Sequence, residues 1–360
     1  MRGGLFDMDY SFKNAVVFPY GYEFLSILSG LNKKNLIGSS IKLVSPEGWG
    51  IVGKDAGTAF GRPYIGINII SNLENAILEG DTLIASPFKD AGDEETNYLI
   101  NSMIDEGINL AKSMKKKVVD LRNVNEEVVH YEYNDQDFEI ECPIIFINGI
   151  TEQLNKLDVI IDIANSLSSK GYKVSQIGTR AYCNTLGMHI FPKFMFSSMT
   201  ECQKVKAFKS YTYNIYKEER PDVMIIGIPG AAIPFNDKVD NGYGIIHYLI
   251  SMAVKADFSI TCSDLDAWNF ENMNIHFTHR FGHGINCVIL TNTKIHYNVQ
   301  EFPDRIFYEI LDYEIIDKYI SSIQRENLNI PIFNEYNEKD MEKLTDLIIN
   351  ELSNVEYFKV

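Results

Sequence analysis

Eight residues, Gly149-Ile150-Thr151-Glu152-Gln153-Leu154-Asn155-Lys156, stand between the apolar run Pro143 to Ile147 and a stretch in which Leu157, Ile160, Ile161, Ala164 and Leu167 share one helical face. A buried strand that turns directly into a helix gathers backbone N–H groups and the positive end of the helix dipole at one point, which is the chemistry of anion binding. In that context Gly149 takes the tight turn, Thr151 and Asn155 line the loop, and Lys156 opens the helix with an ammonium that can reach terminal phosphates. The competing reading is an ordinary strand-to-helix turn capped by Thr or Asn.

The seven steps from Gly149 to Lys156 resemble the variant P-loop of dethiobiotin synthetase and its relatives, where the run is G-T-D-T-E-V-G-K-T. Two positions depart from it. Asn155 replaces the glycine before the lysine and can enter the left-handed region at some cost. Leu157 replaces the Ser or Thr that would ligate Mg²⁺ and cannot bind metal. A later strand of those relatives ends in an acidic residue, whereas the matching run here is Ile226-Gly227-Ile228-Pro229-Gly230, with Gly227 at the acidic position. Without either metal ligand, phosphoryl transfer loses its main charge neutraliser, so nucleotide hydrolysis and a metal are not expected, while binding can survive.

Other residues could join the same chemistry. Gln176-Ile177-Gly178-Thr179-Arg180 ends the next strand of the second half, at the carboxyl edge where open α/β sheets bind ligands, and Arg180 is a candidate anion partner or a solvated loop arginine. The expected ligand-binding set is therefore Gly149, Thr151, Glu152, Asn155, Lys156, Thr179, Arg180 and Gly230, with no residue assigned a catalytic role. Cys183 reads as a small buried residue rather than a nucleophile. Gly48-Trp49-Gly50-Ile51-Val52-Gly53 spells the glycine pattern of a dinucleotide fold, but Gly57, Gly61 and Pro63 forbid the helix that should follow. A surface loop is the better reading, in which Trp49, Lys54 and Asp55 could contact a ligand. His276, His279, His283 and Cys287 could form a zinc set, yet Gly282 and Gly284 interrupt any helix that would align them, so the series stays open.

These residues need elements to hold them. In the first half, strands at Ala15 to Phe18, Ile41 to Val44, Ile65 to Ile70, Thr82 to Ala85 and Val118 to Leu121 alternate with helical patterns at Tyr22 to Leu31 and Glu94 to Met114. In the second, strands at Lys173 to Ile177, Asp222 to Ile228, Phe258 to Thr261 and Asn286 to Thr291 alternate with helices at Thr200 to Glu219 and Gly244 to Val254, and helices at Ile306 to Gln324 and Glu338 to Leu352 end the chain. Such alternation means α/β architecture with parallel sheets. Two domains are expected, a Rossmann-like residues 1–138 and a degenerate P-loop-like residues 139–360, split where Asn134 to Asp137 offers little to bury.

Composition narrows the function classes. The 360 residues carry 49 acidic against 33 basic side chains, a formal charge of −16 that repels nucleic acid and anionic membrane. Neither a basic-apolar leader nor an apolar run of membrane-spanning length is present, so a cytoplasmic, soluble protein is expected. Five widely spaced cysteines with no C-x-x-C pair read as reduced thiols.

Ser45-Pro46-Glu47-Gly48-Trp49-Gly50, Gly53-Lys54-Asp55, Lys173-Val174-Ser175-Gln176-Ile177-Gly178, Phe191-Pro192-Lys193-Phe194-Met195 and Pro221-Asp222-Val223 through Gly230 together resemble a clostridial family of peptide maturation system proteins, over nearly the whole chain. That resemblance implies an accessory protein in maturation of a ribosomally made peptide, with a precursor peptide and a radical SAM enzyme as partners. More distantly, Gly149, Lys156 and Gly230 in a two-domain frame resemble a Rossmann plus P-loop family that includes D-glutamate N-acetyltransferases. The expected ligand is a phosphate-bearing one, a nucleotide or coenzyme A, and the alternative is an active acyl- or ATP-dependent transferase or ligase on a peptide or amino acid. Ligand identity, self-association and catalysis stay open at this point.

Overall fold

A computed structural model describes residues 14–33, 41–88, 94–123, 139–235, 238–266, 269–296, 306–323 and 329–353. The expected boundary near residue 138 and the polar run Asn134 to Asp137 lie outside the described residues. The chain forms two compact units, one of Met1–Glu126 with Ala181–Gly187, the other of Glu127–Arg180 with Met188–Val360. Both are α/β, each built on a parallel sheet. Among the described residues no helix is long and apolar enough to cross a membrane.

The first unit runs β1 (Ala15–Phe18), α1 (Tyr22–Lys33), β2 (Lys42–Val44), β3 (Ile69–Ile70), α2 (Leu73–Glu79), β4 (Thr82–Ala85), α3 (Glu94–Ser113) and β5 (Lys117–Asp120), in the sheet order β3-β2-β1-β4-β5. This order reverses at β1, as a Rossmann-like sheet does. Val16, Phe18, Val44, Leu83 and Ala85 pack against Ile100, Ile104 and Ile108 of α3. The strand expected over Ile65 to Ile70 is only Ile69–Ile70. What precedes it is shaped by Asp55 instead, whose buried carboxylate accepts the N–H groups of Gly57, Thr58, Ile65, Gly66 and Ile67. Burial pushes that carboxyl up, but the amides outweigh burial and hold it below the usual carboxylate range. Asp55 thus organises its own loop. Ala181–Gly187 belongs to this unit by contact, and Tyr182 donates to the Glu23 carboxylate at 2.8 Å.

The second unit runs β6 (Ile144–Gly149), α4 (Lys156–Ser169), β7 (Val174–Gly178), β8 (His189–Ile190), α5 (Glu201–Glu219), β9 (Val223–Gly227), α6 (Ile245–Ala253), β10 (Phe258–Ser263), α7 (Phe270–Phe281), β11 (Cys287–Leu290), β12 (Thr293–His296), β13 (Phe307–Ile310), α8 (Glu314–Ile323), β14 (Ile332–Asn334) and α9 (Glu338–Ser353). Seven parallel strands lie in the order β14-β11-β10-β6-β9-β7-β8, so β6 sits centrally with every residue buried. A strand buried on both faces needs the continuous apolar run that Ile144 to Ile147 supplies. Thr200 begins α5 with a full capping box to Gln203.

The single helix expected over Ile306 to Gln324 is two elements. Phe307–Ile310 pairs antiparallel with Thr293–His296, forming a separate two-stranded ribbon. Asp312 then accepts the Glu314 N–H at 3.0 Å and starts α8. The side-chain cap, which favours a break in the chain, outweighs the apolar spacing across it.

Candidate functional site

Three strand ends meet around the candidate loop. In the sheet register Gly149 lies opposite Cys262 of β10, and Ile147 opposite Gly227 of β9. Just beneath, the buried Asn148 ties β6 to β10 twice: its amide donates to Ser259 Oγ and its carbonyl accepts from Thr261 Oγ1, both at 3.0 Å. A satisfied polar pair in a dry sheet holds the strand ends in register.

From Gly149 the chain makes a compact turn. Gln153 and Asn155 have φ of 54° and 50°, and Leu154 between them does not share their positive φ. Asn155 stands immediately before α4 at φ 50°, ψ 21°, a left-handed conformation that glycine adopts at less cost. Its side chain stabilises what its backbone finds unfavourable: the amide donates to Tyr336 OH at 2.9 Å and Glu335 Oε2 at 3.1 Å, with Asn292 Oδ1 at 3.4 Å. Tyr336 in turn donates to Asn292 Oδ1 at 2.9 Å.

Lys156 is only 7% exposed and its ammonium lies over the loop, donating to the carbonyls of Thr151 and Gly230, each at 3.0 Å. This contact explains Gly149. Its backbone is not left-handed; what excludes a side chain is space, because a Cβ there would lie 2.8 Å from the Thr151 carbonyl oxygen and 3.2 Å from Lys156 Nζ. A buried ammonium needs acceptors on several sides, and two backbone carbonyls provide them in this state.

Of the residues singled out from sequence, Gly149, Thr151, Lys156 and Gly230 meet through these contacts, and Asn155 shapes the loop from behind. Glu152 is exposed on the turn. Thr179 and Arg180 follow β7, which β9 separates from β6. Thr179 sits beside Gly227, where a Cβ would lie 3.1 Å from its methyl group and 2.6 Å from Ile160 Cδ1. Leu157 is buried in the first turn of α4, so the position after the lysine is committed to the core.

The sequence reading missed Tyr308, Asn292, Glu335 and Tyr336, which reach the loop from the segment after β11. Tyr308 of β13 shares a hydrogen bond with Thr151 Oγ1 at 3.3 Å, and Thr293 Oγ1 lies 3.5 Å from the Gln153 carbonyl oxygen. Burial raises the Tyr308 phenol, with the Thr151 bond lowering and Glu152 raising it further. The only sequence signal for these residues was the polar run Thr291-Asn292-Thr293 directly after an apolar strand.

The histidine and cysteine series does not converge. His276 and His279 lie on α7, while His283 pairs its Nε2 with that of His247 on α6 at 3.0 Å. Among the described residues no group of three or more His, Cys, Asp or Glu is arranged to hold a metal ion.

No protein-family model matches this sequence, and no curated protein does. Solved structures do. A DUF1611 family protein from Anabaena variabilis is similar at 11% identity and a TM-score of 0.56, over 93% of this chain and 98% of that one. The likeness is one of fold and spans both sheets. Lower-scoring likenesses include a GTPase from Pyrococcus abyssi in apo form, at 13% identity and TM-score 0.35 over 59% of this chain and 98% of that one. Another is a nucleotide-binding protein in complex with ADP from Archaeoglobus fulgidus, at 11% identity and TM-score 0.34 over 60% of this chain and 90% of that one.

Proposed function

We propose that the second unit binds a phosphate-bearing ligand, a nucleotide or coenzyme A, at Gly149 to Lys156. The observation that carries this reading is the Lys156 ammonium, drawn over the concave turn and resting on the Thr151 and Gly230 carbonyls. A carbonyl dipole is a weaker partner than a phosphate oxygen, so an arriving anion exchanges poor acceptors for better ones. The positive end of α4, which Lys156 opens, supports the same reading. Leu157 and Gly227 supply no metal ligand, so the charge available to a ligand here is that of the lysine and the amides. This combination suits binding more than phosphoryl transfer.

The resemblance to clostridial peptide maturation proteins gives the ligand-bound protein its setting: an accessory role in maturing a ribosomally made peptide, beside a radical SAM enzyme. Calorimetric titration with ADP and with coenzyme A tests the site, repeated on Lys156→Ala. Binding by the native protein and its loss in the variant are expected; equal heats in both would remove the loop as the site.

A further inference from the structure

Thr151 faces two groups at once. Its carbonyl holds the Lys156 ammonium at 3.0 Å and its hydroxyl meets the Tyr308 hydroxyl at 3.3 Å, so the cation and the phenol lie on two sides of one residue. Any anion that takes the ammonium from the Thr151 carbonyl arrives within that residue's span of the phenol. Tyr308 is carried there by the β12–β13 ribbon, which belongs to neither edge of the main sheet and touches the turn a second time where Thr293 approaches the Gln153 carbonyl. A two-stranded ribbon has little stability of its own, and this one is also anchored where Leu265 N–H donates to the Thr293 carbonyl and Ile295 N–H to Asp264 Oδ2.

We propose that Tyr308 is a ligand-binding and specificity-determining residue of this loop, its hydroxyl passing from Thr151 to a phosphate oxygen of the bound ligand. This rests on the phosphate-binding reading above and extends it to the segment after β11. A phenol is suited to the task. Half-buried and held protonated through neutral pH, it donates a hydrogen bond without carrying charge. A hydroxyl–hydroxyl bond at 3.3 Å is long, whereas a hydroxyl donating to an anionic oxygen is among the shorter and stronger bonds available. The phenol therefore gains by the exchange, and it favours a ligand whose terminal phosphoryl oxygens are bare over one whose oxygens are already wrapped by a metal ion.

The test separates a ligand donor from a structural prop, because Tyr308→Phe and Thr151→Val break the same bond from opposite ends. Calorimetry with ADP and coenzyme A, in buffer without divalent cations, is run on the full chain and on both variants, with thermal melts to confirm folding. If Tyr308 serves the ligand, Tyr308→Phe weakens binding roughly tenfold or more, the scale of a hydrogen bond to a charged group. Thr151→Val, which breaks the same bond but leaves the phenol in the chain, then weakens binding less than Tyr308→Phe does. Equal weakening in both variants, or native affinity in Tyr308→Phe, overturns the assignment and leaves the loop reading standing. No binding of either compound by the native chain removes the loop reading, and the role of Tyr308 with it.

Discussion

The ammonium of Lys156 lies 3.0 Å from the carbonyl oxygen of Gly230, a residue that leaves the neighbouring strand β9 rather than the loop itself. The lysine therefore joins the turn after β6 to the end of β9. Lys156→Met keeps the aliphatic stem and leaves two buried carbonyls without their donor, a loss of about 1–3 kcal/mol on the usual scale for orphaned buried groups. Urea unfolding should report that decrease, with an unchanged denaturant slope. A variant as stable as the native protein would show that the carbonyls find other donors.

Gly149→Ala tests the space argument. The new methyl meets the Thr151 carbonyl at 2.8 Å, a backbone atom that cannot rotate away, and Lys156 Nζ at 3.2 Å. Overpacking of this kind costs about 1–3 kcal/mol. Ligand affinity should fall together with stability, because the turn and the lysine are displaced at once; a variant with native affinity would mean that the turn tolerates the shift.

Asn155 separates backbone strain from side-chain bonding. Asn155→Gly relieves the left-handed strain but withdraws the donor from Glu335 and Tyr336, for a net loss of about 1–3 kcal/mol. Asn155→Ala loses the same bonds and keeps the strain, which adds roughly 1 kcal/mol. The order native, Gly, Ala in chemical-denaturation midpoints is the expected result, and a glycine variant above the native protein would show that the side-chain network contributes nothing net.

Stability should depend on pH through His247 and His283. His283 Nδ1 meets the Gly284 carbonyl at 3.0 Å, so it carries the proton and its Nε2 accepts from His247 Nε2. His247 Nδ1 is then a buried lone pair with no hydrogen-bond partner, inside a cage that includes the Phe281 ring stacked at 3.9 Å. Burial, then His283, Arg280 and Lys156, hold His247 well below 6.5, and burial lowers His283 although its bond to Gly284 opposes this. Unfolded imidazoles protonate first, so the contribution is complete above pH 6.5 and shrinks as pH falls toward the depressed folded values. Urea midpoints at pH 7.5 and 5.5 should differ more for the native protein than for His247→Phe; parallel profiles would assign acid sensitivity elsewhere.

Thiol chemistry offers a simple check of the core. Cys142, Cys183, Cys262 and Cys287 are buried and Cys202 is exposed on α5. Burial pushes the Cys142 thiol up to about 12 and that of Cys287 well above its ordinary value. A disulfide reagent should titrate one thiol in the native chain and all five after denaturation, and fast labelling of a second would place one of the four inner cysteines at the surface.

The central elements were legible because their signals are local. Ile144 to Ile147 is apolar without interruption, the face through Leu157 and Leu167 has helical spacing, and the acceptor Gly230 follows an equally continuous apolar strand. Asn155 could be foreseen in the left-handed region because asparagine tolerates it, but its partners could not, since Glu335 and Tyr336 lie 180 and 181 residues away. Tyr308 was hidden for a different reason. Its segment carries apolar residues at a spacing that a helix also satisfies, and only pairing with Thr293–His296 decides for a strand. Gly149 was expected for its conformational freedom and is required for its lack of volume, a distinction that depends on where the Lys156 stem runs.

Lys156 has one more effect, on what association must accomplish. Water has already been stripped from its ammonium during folding, so that step belongs to the stability of the chain rather than to the encounter. If the loop binds phosphate as proposed, an incoming anion sheds its own hydration shell and little else. Two backbone oxygens hold that charge in place over the turn, so its position is fixed by the fold itself.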